Sequence, residues 1–356
     1  MKTLYKAIFF MLFMCWQALP AHTQDVGFSQ YYDQPFQRNP ALAGIFTGDI
    51  RVVGSFRNQW QSVTVPYQTF GISGELKLPM DFITGDNVTV GLQMVRDVAG
   101  TSRYSTTQAM PALNYSFPLS QESNSFLSVG VMGGWRQQKF DPEKLTLNDQ
   151  FVPMSNGTFI ILPGSRQVFT HSVASYFDIS AGISYNGTVR DADYYIGAGM
   201  FHLVNPGVRF VNDTIQLYKK LTFNFGLSAP LGENDELEIY GDFFRQYDDK
   251  YRKIGIKSIQ AGLMFNHILS FSEEEQKSIT VGMLYRLDDA IIPVVKLELN
   301  SFVVGVSYDV NISKLVAASN HRGGIELALS YKKGFNYRNG ELRQTICPRF
   351  GRRSFY

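Results

Sequence analysis

The chain has 356 residues, 44% hydrophobic and 14% aromatic, with 33 lysines and arginines against 31 aspartates and glutamates. So even a balance argues against bulk electrostatic binding of nucleic acid, and two cysteines, one of them Cys15 in the apolar leader, leave Cys347 unable to form an internal disulfide in a processed chain. After the leader no uncharged run is long enough for a spanning helix, so a membrane location requires a closed sheet.

In chain order, Lys2 and Lys6 precede an apolar run from Ala7 to Leu19, and Ala21 and Thr23 are small residues placed for a cut before Gln24. The pattern is that of a secretory signal peptide over residues 1–23. A lipoprotein signal needs small residues before Cys15, where Phe13 and Met14 stand. Cleavage removes two of the 33 basic residues and leaves 31 against 31 acidic ones, a formally neutral mature chain.

Next comes "QYYDQPFQRNPALAG", Gln30 to Gly44, with neither helical nor strand periodicity. Pro35 and Pro40 argue against a helix interior and a central strand. Residues 24–49 are therefore expected to stay out of a sheet and to fold against a lumen, as a plug, or to lie at the periplasmic mouth. Remaining free is disfavoured, because burying each of Tyr31, Tyr32 and Phe36 is worth about 1.5–3 kcal/mol.

From Ile50 onward the dominant pattern is two-residue alternation. In "LTFNFGLS", Leu221, Phe223, Phe225 and Leu227 share one face, and Thr222, Asn224, Gly226 and Ser228 the other. About fourteen such segments are expected, starting near Ile50, Thr69, Val88, Ser105, Phe126, Phe177, Tyr194, Leu221, Glu236, Ile254, Ser278, Ile292, Phe302 and Ile325. An even count suits an all-β, antiparallel transmembrane β-barrel over residues 50–333, with residues 334–356 as a periplasmic tail. Compact turns such as "NGTVRD" and "APLGEND" should lie at the periplasmic end, and the long stretches Asp141–Ser175 and Asn205–Lys220 outside. "NHILSFSEEEQK" reads as a longish inner turn and "LDD" as a short outer one.

A soluble β-sandwich would also alternate, but its solvent face should carry dense charge. Here that face is mostly Gly, Ser, Thr, Asn and Gln, with paired charges such as Glu75 with Lys77 and Lys296 with Glu298. That composition suits a wet or plugged lumen. On this reading Phe225→Arg costs about 2–4 kcal/mol on the lipid face, and Asn224→Arg, in the lumen, should be milder. Trp60, Phe117, Trp135, Phe140, Tyr185, Tyr247 and Tyr308 are placed for interfacial girdles.

Chemistry is sparse. His171, His202, His267 and His321 stand far apart, without a partner at metal-ligand spacing. No G-x-S-x-G elbow, P-loop or dinucleotide fingerprint occurs. A Ser–His–Asp triad assembled in space would leave no local motif. "SEEEQK", Ser272 to Lys277, reads as a solvated turn. Between the last two strands, "YDVNISKLVAASNHRGG" places Ile312, Leu315, Val316 and Ser319 at helical spacing, with Asn311 or Ser313 as cap and Gly323 with Gly324 as stop. This loop either caps its own lumen or docks a partner through Leu315 and Val316.

"FSQYYDQPFQRNPALAG" (Phe28–Gly44), "RNQW" (Arg57–Trp60), "YDVNISKLVAASNHRGGIELALSY" (Tyr308–Tyr331) and "CPRF" (Cys347–Phe350) resemble the PorP/SprF family of type IX secretion system outer-membrane proteins. The resemblance implies a non-enzymatic outer-membrane component of the secretion and gliding machinery of Bacteroidota, without cofactor or metal. Its implied partners are outer-membrane lipid, the periplasmic ring of the apparatus, and a secreted adhesin with a C-terminal sorting domain, with no nucleic acid. Tyr31, Tyr32, Phe36, Arg38, Asn39 and Pro40 in the first stretch, and Leu315 and Val316 in the third, become the candidate partner-contacting residues. A general porin or transporter sharing only the barrel is the competing expectation.

Overall fold

A computed structural model describes residues 27–62, 65–80, 85–120, 124–155, 157–167, 169–210, 214–247, 254–271, 275–334 and 350–351. The leader, Cys347 and residues 272–274 of the acidic turn lie outside them, as does the side chain of Tyr247.

Among the described residues eighteen strands form. They are β1 (Ile50–Gln59), β2 (Tyr67–Pro79), β3 (Asn87–Ala99), β4 (Tyr104–Ser120), β5 (Ser125–Lys139), β6 (Phe151–Pro153), β7 (Phe159–Ile161), β8 (Val173–Val189), β9 (Ala192–Phe201), β10 (Gly207–Arg209), β11 (Thr214–Gln216), β12 (Lys220–Pro230), β13 (Asp235–Tyr247), β14 (Ile254–Phe271), β15 (Gln276–Arg286), β16 (Ala290–Leu299), β17 (Phe302–Asn311) and β18 (Arg322–Lys333). Fourteen of these close into an antiparallel barrel in sequence order, sealed by β1 against β18, while β6–β7 and β10–β11 form separate hairpins. Each barrel strand starts within four residues of the position its alternation indicates.

The two faces follow the alternation. On β12, Phe223 and Phe225 are exposed on the outside, whereas Thr222, Asn224 and Ser228 are buried inside. The outer band continues through Val129, Val131, Leu263, Val281, Val304 and Leu327, as a sheet facing hydrocarbon requires. Phe140 departs from the girdle expectation. It is buried in a loop cluster, edge-on to Phe169 and Phe210.

Both ends of the barrel sequence, Ile50 and Lys333, lie at one end, here the proximal end. Proximal turns are short, whereas the distal loops at 140–172 and 202–219 are long. The longish inner turn expected after Asn266 is corrected, because β14 runs on to Phe271 and β15 resumes at Gln276. Strand pairing absorbs most of that stretch, as Phe271 pairs with Gln276.

Candidate functional site: the segment inside the barrel

Residues 28–46 are built from three single turns: a 3-10 turn at Tyr31–Asp33, an α-turn, α1 (Pro35–Arg38), and a 3-10 turn at Pro40–Leu42. Each proline opens its turn, where the missing N–H costs nothing and the fixed φ is already helical. Between them Asn39 is extended, and its Oδ1 accepts from the Ala41 N–H at 2.9 Å. The chain thus redirects every few residues, which explains its lack of periodicity.

The segment touches inward-facing side chains on all sides of the ring. Toward the distal end, the Ser29 and Gln30 N–H groups donate to the Glu326 carboxylate at 2.6 and 2.9 Å, and Ser29 Oγ donates to Asp309 at 2.5 Å. Arg57 reaches Asp309 at 2.6 Å and the Gly27 carbonyl at 2.5 Å. On the opposite wall Asn39 Nδ2 donates to the Ile183 carbonyl at 3.1 Å, Ser184 Oγ to the Ala41 carbonyl at 2.7 Å, and Asn114 Nδ2 to the Ala43 carbonyl at 2.6 Å. Proximally the Gly44 N–H donates to Glu75 at 2.8 Å and Lys77 Nζ to the Phe46 carbonyl at 2.6 Å. The pairing expected along the strands is corrected, because the segment and a neighbouring strand supply other partners: Glu75 pairs with Arg51 at 2.7 Å, and Lys296 approaches Asp33 at 3.4 Å.

Arg38 is the centre of this arrangement. It forms a two-pronged pair with Asp242 at 2.8 and 3.0 Å, the strongest geometry open to a guanidinium and a carboxylate. The rings of Tyr31, Tyr195 and Tyr240 stand 5.4, 5.5 and 6.0 Å from its guanidinium carbon, within cation–π range. Burial pulls its pKa down, but the Asp242 charge and hydrogen bonds more than reverse this and keep it cationic. Burial pushes the phenols of Tyr31 and Tyr32 above their ordinary value, so both stay neutral.

Close approach is made possible by glycines on the inner face. A Cβ on Gly182 would run into Asn39 Oδ1, one on Gly197 would stand 2.7 Å from Asn39 Nδ2, and one on Gly130 would strike the Pro40 backbone. The small inner lining, which in sequence suits a wet or a plugged lumen alike, serves here as a packing surface. Beneath it, at the proximal mouth, lies a cavity of about 120 Å3 lined by Glu236, Glu238, Glu298 and Lys332, among others. Phe350 borders it and packs edge-on against Tyr195, 4.9 Å between ring centroids.

Of the sequence-derived candidates, Tyr31, Tyr32, Phe36, Arg38, Asn39 and Pro40 are all buried inside the ring of strands. Leu315 is 47% exposed, and Val316 begins a single helical turn, α2 (Val316–Ser319), on the distal rim. The two sets are not brought together. Asn311 accepts from the Ser313 N–H and ties down Ser319, and Asn320, at φ 48°, ends the turn. Asp242, Asp309, Glu326 and Phe350 were not singled out from sequence. A carboxylate at an inward position in mid-strand demands a buried cation or donor, and that signal was available. His202 is buried and has its Nδ1 2.8 Å from Asp178, which Arg136 also contacts at 3.1 Å. Among the described residues no cluster of three metal-ligating side chains occurs.

The barrel is similar to the toluene transporter TbuX of Ralstonia pickettii, with 10% identity over 89% of this chain and 96% of that one and a TM-score of 0.51. The CymD monoaromatic hydrocarbon channel (9% identity, 89% and 95% covered, TM-score 0.47) and a Pseudomonas aeruginosa FadL homologue (8%, 83% and 92%, 0.46) also align. At such identities the TbuX likeness speaks for the fold alone. No curated protein sequence matches the chain. The family model for the type IX secretion system membrane protein PorP/SprF matches residues 21–331. With its closed fourteen-strand wall and apolar outer band, the chain is an outer-membrane barrel and belongs to the PorP/SprF family of type IX secretion system membrane proteins.

Proposed function

We propose that this protein is a closed-lumen docking component of type IX secretion. The proximal end faces the periplasmic apparatus, and the distal loops serve the export and surface attachment of secreted adhesins. The observation that carries this reading is the lumen segment itself, which joins opposite walls through Ser29 and Gln30 on Glu326 and through Asn39 on Ile183. A conducting porin needs a continuous aqueous path, whereas a docking scaffold does not. Residues 1–23 are then a cleaved leader, 24–49 the lumen plug and 334–356 a periplasmic tail. The buried candidates from Tyr31 to Pro40 would act by holding the scaffold rigid, and Leu315 and Val316 remain available to a partner. Full-length protein in planar bilayers should show no steady ohmic conductance, and a large stable one would favour the porin or transporter reading. Affinity isolation from native outer membranes should recover a periplasmic ring component or an exported adhesin, and recovering neither would remove the docking role.

A further inference from the structure

The distal loop 140–172 is folded at its base. The Phe140 N–H donates to the Ser172 carbonyl at 3.1 Å, and the Phe140 ring packs against Phe210 of the neighbouring loop. Asp149 accepts from the Arg166 N–H at 2.6 Å and from Ser165 Oγ at 2.9 Å. At its tip β6 and β7 make a two-stranded sheet of their own. Phe151, Phe159 and Ile161 share one face, Val152 and Ile160 the other, and all five are exposed. From Gln150 to Ser165 the sequence carries no charge. A two-stranded hairpin alone is marginal in water, and an apolar patch held in place marks an interaction site.

Register shows which edge is open. Met154 N–H donates to the Thr158 carbonyl at 2.7 Å and Leu162 N–H to the Gln150 carbonyl at 2.8 Å. These fix the hydrogen-bonded pairs, so Val152 and Ile160 bond each other across the hairpin and the backbone groups of Phe151, Pro153, Phe159 and Ile161 point outward. Pro153 has no N–H, which blunts the β6 edge. The β7 edge offers both groups of Phe159 and Ile161, and among the described residues none of them is taken. Hydrocarbon would cover the apolar faces but leave these backbone groups unsatisfied. An added strand satisfies both.

We propose that the β7 edge, Phe159–Ile161, receives an uncharged, apolar, extended strand of an exported polypeptide by strand addition. The partner's origin rests on the secretion reading above, but the test reads binding directly, so its failure leaves the conductance and affinity results standing. The probe is a fluorescent octapeptide of alternating Val and Thr, titrated by anisotropy into full-length protein in detergent micelles. Ile161→Pro and Phe151→Pro each delete one apolar side chain and one outward N–H, from opposite edges. Ile161→Pro should weaken binding about tenfold, the scale of one hydrogen bond with its side-chain contacts, and Phe151→Pro by less than about threefold. Equal losses, no loss, or no binding to the wild-type protein would each overturn the proposal. Ile161→Lys keeps the N–H and should still lose affinity through its charge, and unchanged binding there counts against it. Self-association abolished by Ile161→Pro would identify a second copy as the occupant instead. Quenching of Ile161→Trp by brominated lipid in vesicles, beyond that of the wild type, would identify the membrane.

Discussion

Arg38 and Asp242 are both almost fully withdrawn from solvent, at 4% and 0% side-chain exposure. Removing one partner therefore strands the other. Asp242→Asn should cost about 3–5 kcal/mol by urea unfolding in lipid, and replacing both residues with apolar ones of similar volume should cost much less. Asn224 lies beside this pair, donating to Asp242 at 2.7 Å and only 2% exposed. The milder effect anticipated for Asn224→Arg is thus revised. A second guanidinium there has no room, and overpacking alone costs about 1–3 kcal/mol, so its assembly defect should match that of lipid-facing Phe225→Arg. The phenols of Tyr31 and Tyr32 give an alkaline signature. Because burial raises their folded-state pKa above the ordinary value of 10.0, their contribution is intact below pH 10 and is lost as pH rises past it, when only the unfolded chain ionises freely. Absorbance at alkaline pH should show these two titrating only together with loss of protection in residues 27–46.

The segment's fit depends on surfaces supplied by the strands. Gly182→Val places bulk where Asn39 sits, so it should loosen the segment while the ring persists, read as faster amide exchange at Gln30–Gly44 in an otherwise protected barrel. The α2 turn should behave oppositely. With Leu315 exposed, changing Leu315 and Val316 to Ser should leave heat-modifiable migration of the barrel unchanged, and any effect should appear in adhesin retention at the cell surface. Legibility differed by element for physical reasons. The barrel strands, ten or more residues each, repeat their alternation long enough to be counted, whereas β6, β7, β10 and β11 have three residues each and leave no period to detect. Residues 28–46 could be recognised as neither helix nor strand. Their route could not, because Arg38 finds its counter-charge 204 positions away and Ser29 finds Asp309 at 280.

At the scale of the whole molecule, the seam of the ring runs between β1 and β18, where Arg57 stands opposite Glu326. The segment lies across that seam, since Ser29 and Gln30 bind Glu326 while Arg57 holds Gly27. Sliding β18 by two residues would keep every side chain on its proper face, so alternation alone cannot forbid it. It would, however, carry Glu326 away from Arg57 and from both N–H donors. The segment at residues 27–30 therefore serves as a gauge for the last strand, and the sheet wraps around a template it already contains. Glu326→Gln, which keeps the shape but weakens the gauge, should slow appearance of the compact, heat-modifiable form during refolding into lipid more than it lowers final stability. Refolding at the wild-type rate would mean that the strands find their register unaided.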